Sequence, residues 1–214
     1  ITFAMGLCDV EAAWQKKDWW QIGVNRCQAE NEDLAVVARV RLEADEGKPE
    51  VDINVAMPRG DISRFGDYWP ENVMKPNTLH WLRTSLLDGR LSGGRYSMVG
   101  DMDDFPFKDH SGSLVAVAPV SSANLRYVDG WPHVRQVDAV AHFVGPGMQV
   151  EGTVGRTAGA AVEYVSVRID DFKAPVLDLD YRTTTELPQL VEFLKFTPLL
   201  DGLDLDLRKF VLEG

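Results

Sequence analysis

The chain has 214 residues, 45% hydrophobic and 26% charged, the balance of a folded protein with material for a sizeable core. A net charge of −11 and a pI near 4.8 set its surface against phosphate backbones and anionic headgroups, which argues against a non-specific nucleic-acid or membrane-surface binder. No apolar run approaches the ~20 residues of a membrane helix, no basic-then-apolar leader is present, and the first residue is Ile1 and not Met. The expectation is one continuous unit, 1–214, cut from a longer protein.

In chain order, the first elements are two strand-like segments, GLCDVEAAWQ and WWQIGVNRCQ, broken at KKD. A two-residue turn at Lys17-Asp18 sets Lys16 opposite Trp19 and, carried down the hairpin, sets Cys8 opposite Cys27. An odd-numbered loop would break that match. Cross-strand neighbours lie ~4.5–5.5 Å apart, within disulfide reach. The two cysteines lack metal-type CxxC spacing, so two readings stand: a disulfide, which implies an oxidising compartment, or two buried free thiols.

Period-2 alternation then dominates. Leu34, Val36, Ala38, Val40 and Leu42 share one face of a strand, with Arg39, Arg41 and Glu43 on the other. After a turn at Glu46-Gly47, Val51, Ile53, Val55 and Met57 alternate with Asp52 and Asn54. DISRFGDYW reads as a short helical turn. NTLHWLRTSLLDG reads as a helix, with Asn77 as N-cap, Leu79, Leu82 and Leu86 as its stripe, and Gly89 as its stop. Gly93-Gly94 then opens a strand. Further strands are expected around 90–99, 113–119, 122–128, 134–144 and 148–155. The clean pattern returns with Val165, Val167 and Ile169, and again with Leu177, Leu179 and Tyr181 against Asp178 and Asp180. A second helix, TTELPQLVEFLKF, and a last strand, LDLDLR, close the chain. One-sided strands separated by hairpin-length turns belong to antiparallel sheets wetted on one face. No βαβ rhythm is present.

Chemistry-bearing motifs are sparse. DGRLSGG lacks the P-loop pattern, and its glycines follow a helix instead of preceding one, at the pole that repels anions. Asp101, Asp103 and Asp104 cluster in GDMDDFPF without calcium-loop spacing, so an acidic turn is expected, with Phe105 and Phe107 around Pro106 packing it onto the sheet. His80, His110, His133 and His142 form no i,i+4 pair, and no G-x-S-x-G elbow occurs. No catalytic residue, metal or cofactor is nominated.

One stretch is a family fingerprint. DYWPENVMKPNTLHWLRTSLLDGRLSGGRYSMVGDMDDFPF carries a Tyr-Trp-Pro turn, a helix with Trp81-Leu82, then Asp88-Gly89-Arg90, Gly100-Asp101 and Phe105-Pro106-Phe107. This order resembles the YhdP group of AsmA-like proteins of the Gram-negative envelope. Tyr127, Trp131-Pro132, Phe143, the IDDF at 169–172 and FLKFTPLL are similar too. The resemblance runs from about residue 34 to 200 and is weaker over the first 30.

The resemblance implies a periplasmic protein, anchored in the inner membrane through a segment outside this chain, that moves phospholipid between inner and outer membranes. It implies a mainly β fold: a curled antiparallel sheet forming a hydrophobic groove, with two short helices packed on it. The chain would be a non-enzymatic segment of that bridge. Its partners would be phospholipid acyl chains and the remaining segments of the same long chain, with no nucleic acid and with membrane contact only through parts elsewhere. The groove-lining candidates are Leu34, Val36, Val40, Val51, Ile53, Val55, Val165, Val167, Ile169, Leu177 and Leu179. On the residues alone, two alternatives stay open. One is a closed β-sandwich serving as a scaffold or interaction module. The other is a glycan-binding or glycan-active β-protein using the aspartates and tryptophans.

Overall fold

The computed structural model describes residues 3–15, 19–45, 48–69, 76–107, 111–126, 130–157 and 160–186, with 188 and 191. Ten strands follow one another: β1 (Ala4–Gln15), β2 (Trp19–Glu30), β3 (Leu34–Asp45), β4 (Lys48–Asp61), β5 (Leu86–Asp101), β6 (Ser113–Leu125), β7 (Val134–Val144), β8 (Gly147–Thr157), β9 (Ala160–Ile169) and β10 (Asp178–Thr184). They form one sheet whose spatial order is the sequence order, each strand antiparallel to the next. The fold is mainly β, as the alternation requires. Short connections set most consecutive strands beside each other, and the longest one, between β4 and β5, runs through the Ile62–Asp67 turn and a helix. Among the described residues β1 and β10 are the outer strands and no second sheet is present.

The first hairpin departs from its expected geometry twice, and the departures cancel. Gln15 pairs with Trp19, so residues 16–18 connect the strands in an odd-numbered loop. Further down, Val10 pairs with Val24 but Asp9 pairs with Arg26, leaving Asn25 as an extra residue in β2. Asn25 Nδ2 donates to Asp9 Oδ2 at 3.2 Å across this bulge. The shift sets Cys8 opposite Cys27, and the two are bonded, with an S–S distance of 1.99 Å and a sequence separation of 19. A cross-link closing a loop of that size contributes roughly 3 kcal/mol by restricting the unfolded chain. Register shifts recur in most strand pairs. Each bulge bends its strand and deepens the local twist.

The helix α1 (Pro76–Ser85) ends four residues before the glycine expected to stop it. Leu86, Leu87, Asp88 and Gly89 belong to β5 instead. Pairing wins over helix propensity here: Leu86 pairs with Leu125, Asp88 with Asn124, and Arg126 N donates to Ser85 O at 2.9 Å. Gly89 is a glycine for a different reason. Its φ is 135°, and a Cβ there would lie 2.8 Å from Ala123 Cα and 3.1 Å from Ile62 Cδ1. Gly89→Ala is therefore expected to cost about 2–3 kcal/mol, read as a lower urea midpoint at unchanged slope.

Two 3-10 turns complete the described fold, Ile62–Asp67 and Met102–Asp104. In the second, Asp101 Oδ1 accepts from Asp103 N at 2.9 Å, so the first of the clustered aspartates caps a turn. Thr184, the first residue of the second predicted helix, ends β10. The rest of that helix, apart from Thr185, Glu186, Pro188 and Val191, and the LDLDLR strand lie outside the described residues.

Candidate functional site

Strand register converts the period-2 pattern into continuous apolar rows. Ala38, Val55, Tyr96, Ala116, Phe143, Met148 and Ile169 are successive cross-strand partners from β3 to β9. Val24, Val40, Ile53, Met98 and Leu114 form a parallel row, as do Ala118, Ala141, Val150, Val167 and Leu179. At the other end of β3, Leu34 opens a row through Gly60, Leu91, Val120, Ala139, Gly152 and Val165 to Tyr181. The opposite face is largely polar: Arg41 pairs with Asp52, Arg39 with Asn54, Gln149 with Arg168 and Ser166 with Asp180, with Val99, Val115 and Val144 exposed among them. Ion pairs knit it, Arg39 to Asp52 at 3.6 Å and Arg168 to Asp170 at 3.2 Å.

Little covers the apolar face. No large side chain is fully buried in it, and toward the outer strands Ile22 is 41% exposed and Leu179 51%. Among the described residues two clusters of cover stand out, both built the same way, and Leu34, Ala44, Ala160 and Val162 are buried outside them. In the first, Ile62 and Phe65 of the Ile62–Asp67 turn pack with Leu91, Ala123, Val137 and Met57. A Cβ on Gly60 would lie 2.7 Å from the Phe65 ring, so Phe65 rests directly on that glycine. In the second, Phe107 packs on Val51 and Met98. A Cβ on Gly100 or Gly112 would lie 2.9 or 2.5 Å from its ring. A glycine in a strand marks a close approach, and here the approaching group is an aromatic cap.

The first cap is held from outside the face. Tyr68 donates to Asp33 Oδ2 at 2.6 Å and accepts from Asn31 Nδ2 at 2.7 Å. Arg64 pairs with Asp33 at 3.4 Å and with Asp67 at 3.0 Å. The second cap uses the Phe105–Phe107 pair expected from sequence, but unequally. Phe107 is buried, while Phe105 stands 49% exposed with its ring edge-on to Phe107.

Of the expected lining residues, Val40, Ile53, Val55, Val165, Val167 and Leu179 sit in these rows with Leu34 and Ile169, and Val51 pairs with Leu42 and Gly100 on the same side. Val36 shares their side of β3 by alternation, opposite Ala29. Leu177 lies just before β10 and is 56% exposed. Val51 belongs to the Phe107 cluster and Ile53 packs on it, so these two belong to a capped end more than to the open surface, and Leu34 is buried as well. Sequence reasoning missed the caps' seats, Gly60 and Gly100, and the middle rows through Tyr96, Ala116, Phe143 and Met148.

The comparisons with known proteins agree with this architecture's origin. The model of the YhdP protein family matches residues 3–214. The intermembrane phospholipid transporter YhdP of Escherichia coli (strain K12) is 22% identical over 167 residues, covering 78% of this chain. The chain spans 13% of that relative's length. No solved structure matches. With the family model spanning almost every residue, the chain belongs to the YhdP family.

Proposed function

We propose that this chain is a non-enzymatic segment of a periplasmic lipid-transfer bridge, carrying phospholipid between inner and outer membranes along its apolar face. The observation that carries the reading is the run of apolar rows crossing up to eight strands with no second sheet packed on them among the described residues. A face of that extent that the described residues leave largely open suits an apolar occupant. Each acyl methylene moved from water onto it gains ~0.8 kcal/mol, so a shallow channel holds a chain without any specific contact. The rows run across the strands, so in a longer sheet of the same kind they continue from one segment to the next. The name of the Escherichia coli relative, an intermembrane phospholipid transporter, supports the same reading. The Cys8–Cys27 bond fits an oxidising periplasm.

A closed sandwich is the less favoured reading, because the apolar face meets no second sheet among the described residues. Native mass spectrometry of the chain purified from membranes tests the proposal. Co-purifying phospholipid, displaced by detergent, is the expected result; a lipid-free chain with a dry, protected apolar face would favour the sandwich.

A further inference from the structure

Arg135 and Arg156 are direct cross-strand partners at one end of the β7–β8 pair. Side chains so placed have Cβ atoms ~4.5–5.5 Å apart, and two like charges there destabilise the sheet. Neither guanidinium has an ion-pair partner among the described residues. Both line a pocket of about 570 Å³, with His133, Asn124, Gln136 and Asp88. This pocket lies on the polar side of the sheet: Val134 and Val137 pack into the Ile62 cluster on the apolar side, and Arg135 projects opposite to Val134.

The one carboxylate lining the pocket among the described residues, Asp88, is hydrogen-bonded within the wall. Asp88 Oδ1 accepts from Gly89 N at 2.7 Å, and Asp88 Oδ2 accepts from Asn124 Nδ2 at 3.4 Å. Asn124 Oδ1 in turn accepts from Gln136 N at 3.1 Å and helps hold Gln136 at a φ of 54°. The wall is thus braced, and two guanidinium forks share the pocket with a single carboxylate that ion-pairs with neither, in a protein whose net charge is −11. A carboxylate satisfies one fork. Two forks with a third donor in His133 suit the several oxygens of a phosphate group. The volume falls within the range of small-molecule sites and exceeds what a bare ion fills.

We infer that this pocket binds a phosphate ester through Arg135 and Arg156. The inference stands apart from the apolar face and does not depend on lipid occupying it. The ester has two sources, a phospholipid headgroup or a soluble phosphate ester. Thermal unfolding of the chain is followed with inorganic phosphate, glycerol phosphate or a short-chain phosphatidylglycerol below its micelle concentration. Each ligand that binds the native state raises Tm by mass action. In Arg156→Ala and Arg135→Gln the apparent affinity is expected to fall about 10- to 100-fold, while Arg39→Ala on the same polar face leaves it unchanged. Without ligand, neither pocket substitution lowers Tm, because each relieves a like-charge pair; a merely structural arginine would behave oppositely. A response to the phosphatidylglycerol alone assigns the headgroup, and a response to glycerol phosphate assigns the soluble ester. Equal responses in wild type and Arg156→Ala, or no response to any of the three probes, overturn the site.

Discussion

Val167→Asp is expected to lower phospholipid occupancy of the chain at least about tenfold while leaving it folded. Val167 sits mid-row between Val150 and Leu179 and is only half-buried. In the empty protein an aspartate there reaches water, so the folding cost is that of an ordinary surface-like substitution, about 1 kcal/mol. With an acyl chain laid over it, the same carboxylate loses water and gains no partner. That penalty, several kcal/mol for an unpaired charge, exceeds the ~1.4 kcal/mol that a tenfold change in affinity requires. The effect is therefore on occupancy and not on folding. Ile53→Asp points the same way but is the less clean probe, because Ile53 also supports the Phe107 cap. Bound lipid by native mass spectrometry, set beside the urea midpoint of each variant, separates the two effects.

Phe107→Ala is expected to remove about 3 kcal/mol of stability. Phe107 is 5% exposed and fills the space above Gly100 and Gly112 against Val51 and Met98. Neither glycine can grow a side chain to refill it, and the surrounding strands are tied on both sides, so the cavity persists. For a chain of this length the loss corresponds to a fall in Tm of roughly 6–12 °C. Phe105→Ala, at a half-exposed ring on the same turn, should cost about 1 kcal/mol or less. A small effect at Phe107 would mean that the segment is a mobile strap and not a cap.

The alternation in β3, β4, β9 and β10 made those strands and their apolar sides legible directly, because a period of two leaves a residue no choice of side. Across bulges the same logic fails, since one extra residue flips every residue beyond it. The first hairpin shows this: the Cys8–Cys27 match depends on Asn25, and nothing in that asparagine announces a bulge. Gly89 was misleading for a related reason. A glycine after a leucine-rich helix looks like a stop, yet here it answers a close approach by Ala123 that only the β5–β6 pairing creates. The caps were half-legible. The aromatic turns were evident, but their seats at Gly60 and Gly100 depend on which strand lies beneath. The arginine pair was invisible, because Arg135 and Arg156 are 21 residues apart in a chain where charge alone suggested no anion site.

The most direct test of a lipid-carrying face is a photocrosslinking scan along β9. A photoreactive amino acid is placed singly at Val165, Ser166, Val167, Arg168 and Ile169 in cells, and phospholipid adducts are counted. A corridor on the apolar side gives adducts at 165, 167 and 169 and none at 166 and 168. Adducts without that alternation, or none at any of the five positions in folded protein, would contradict it.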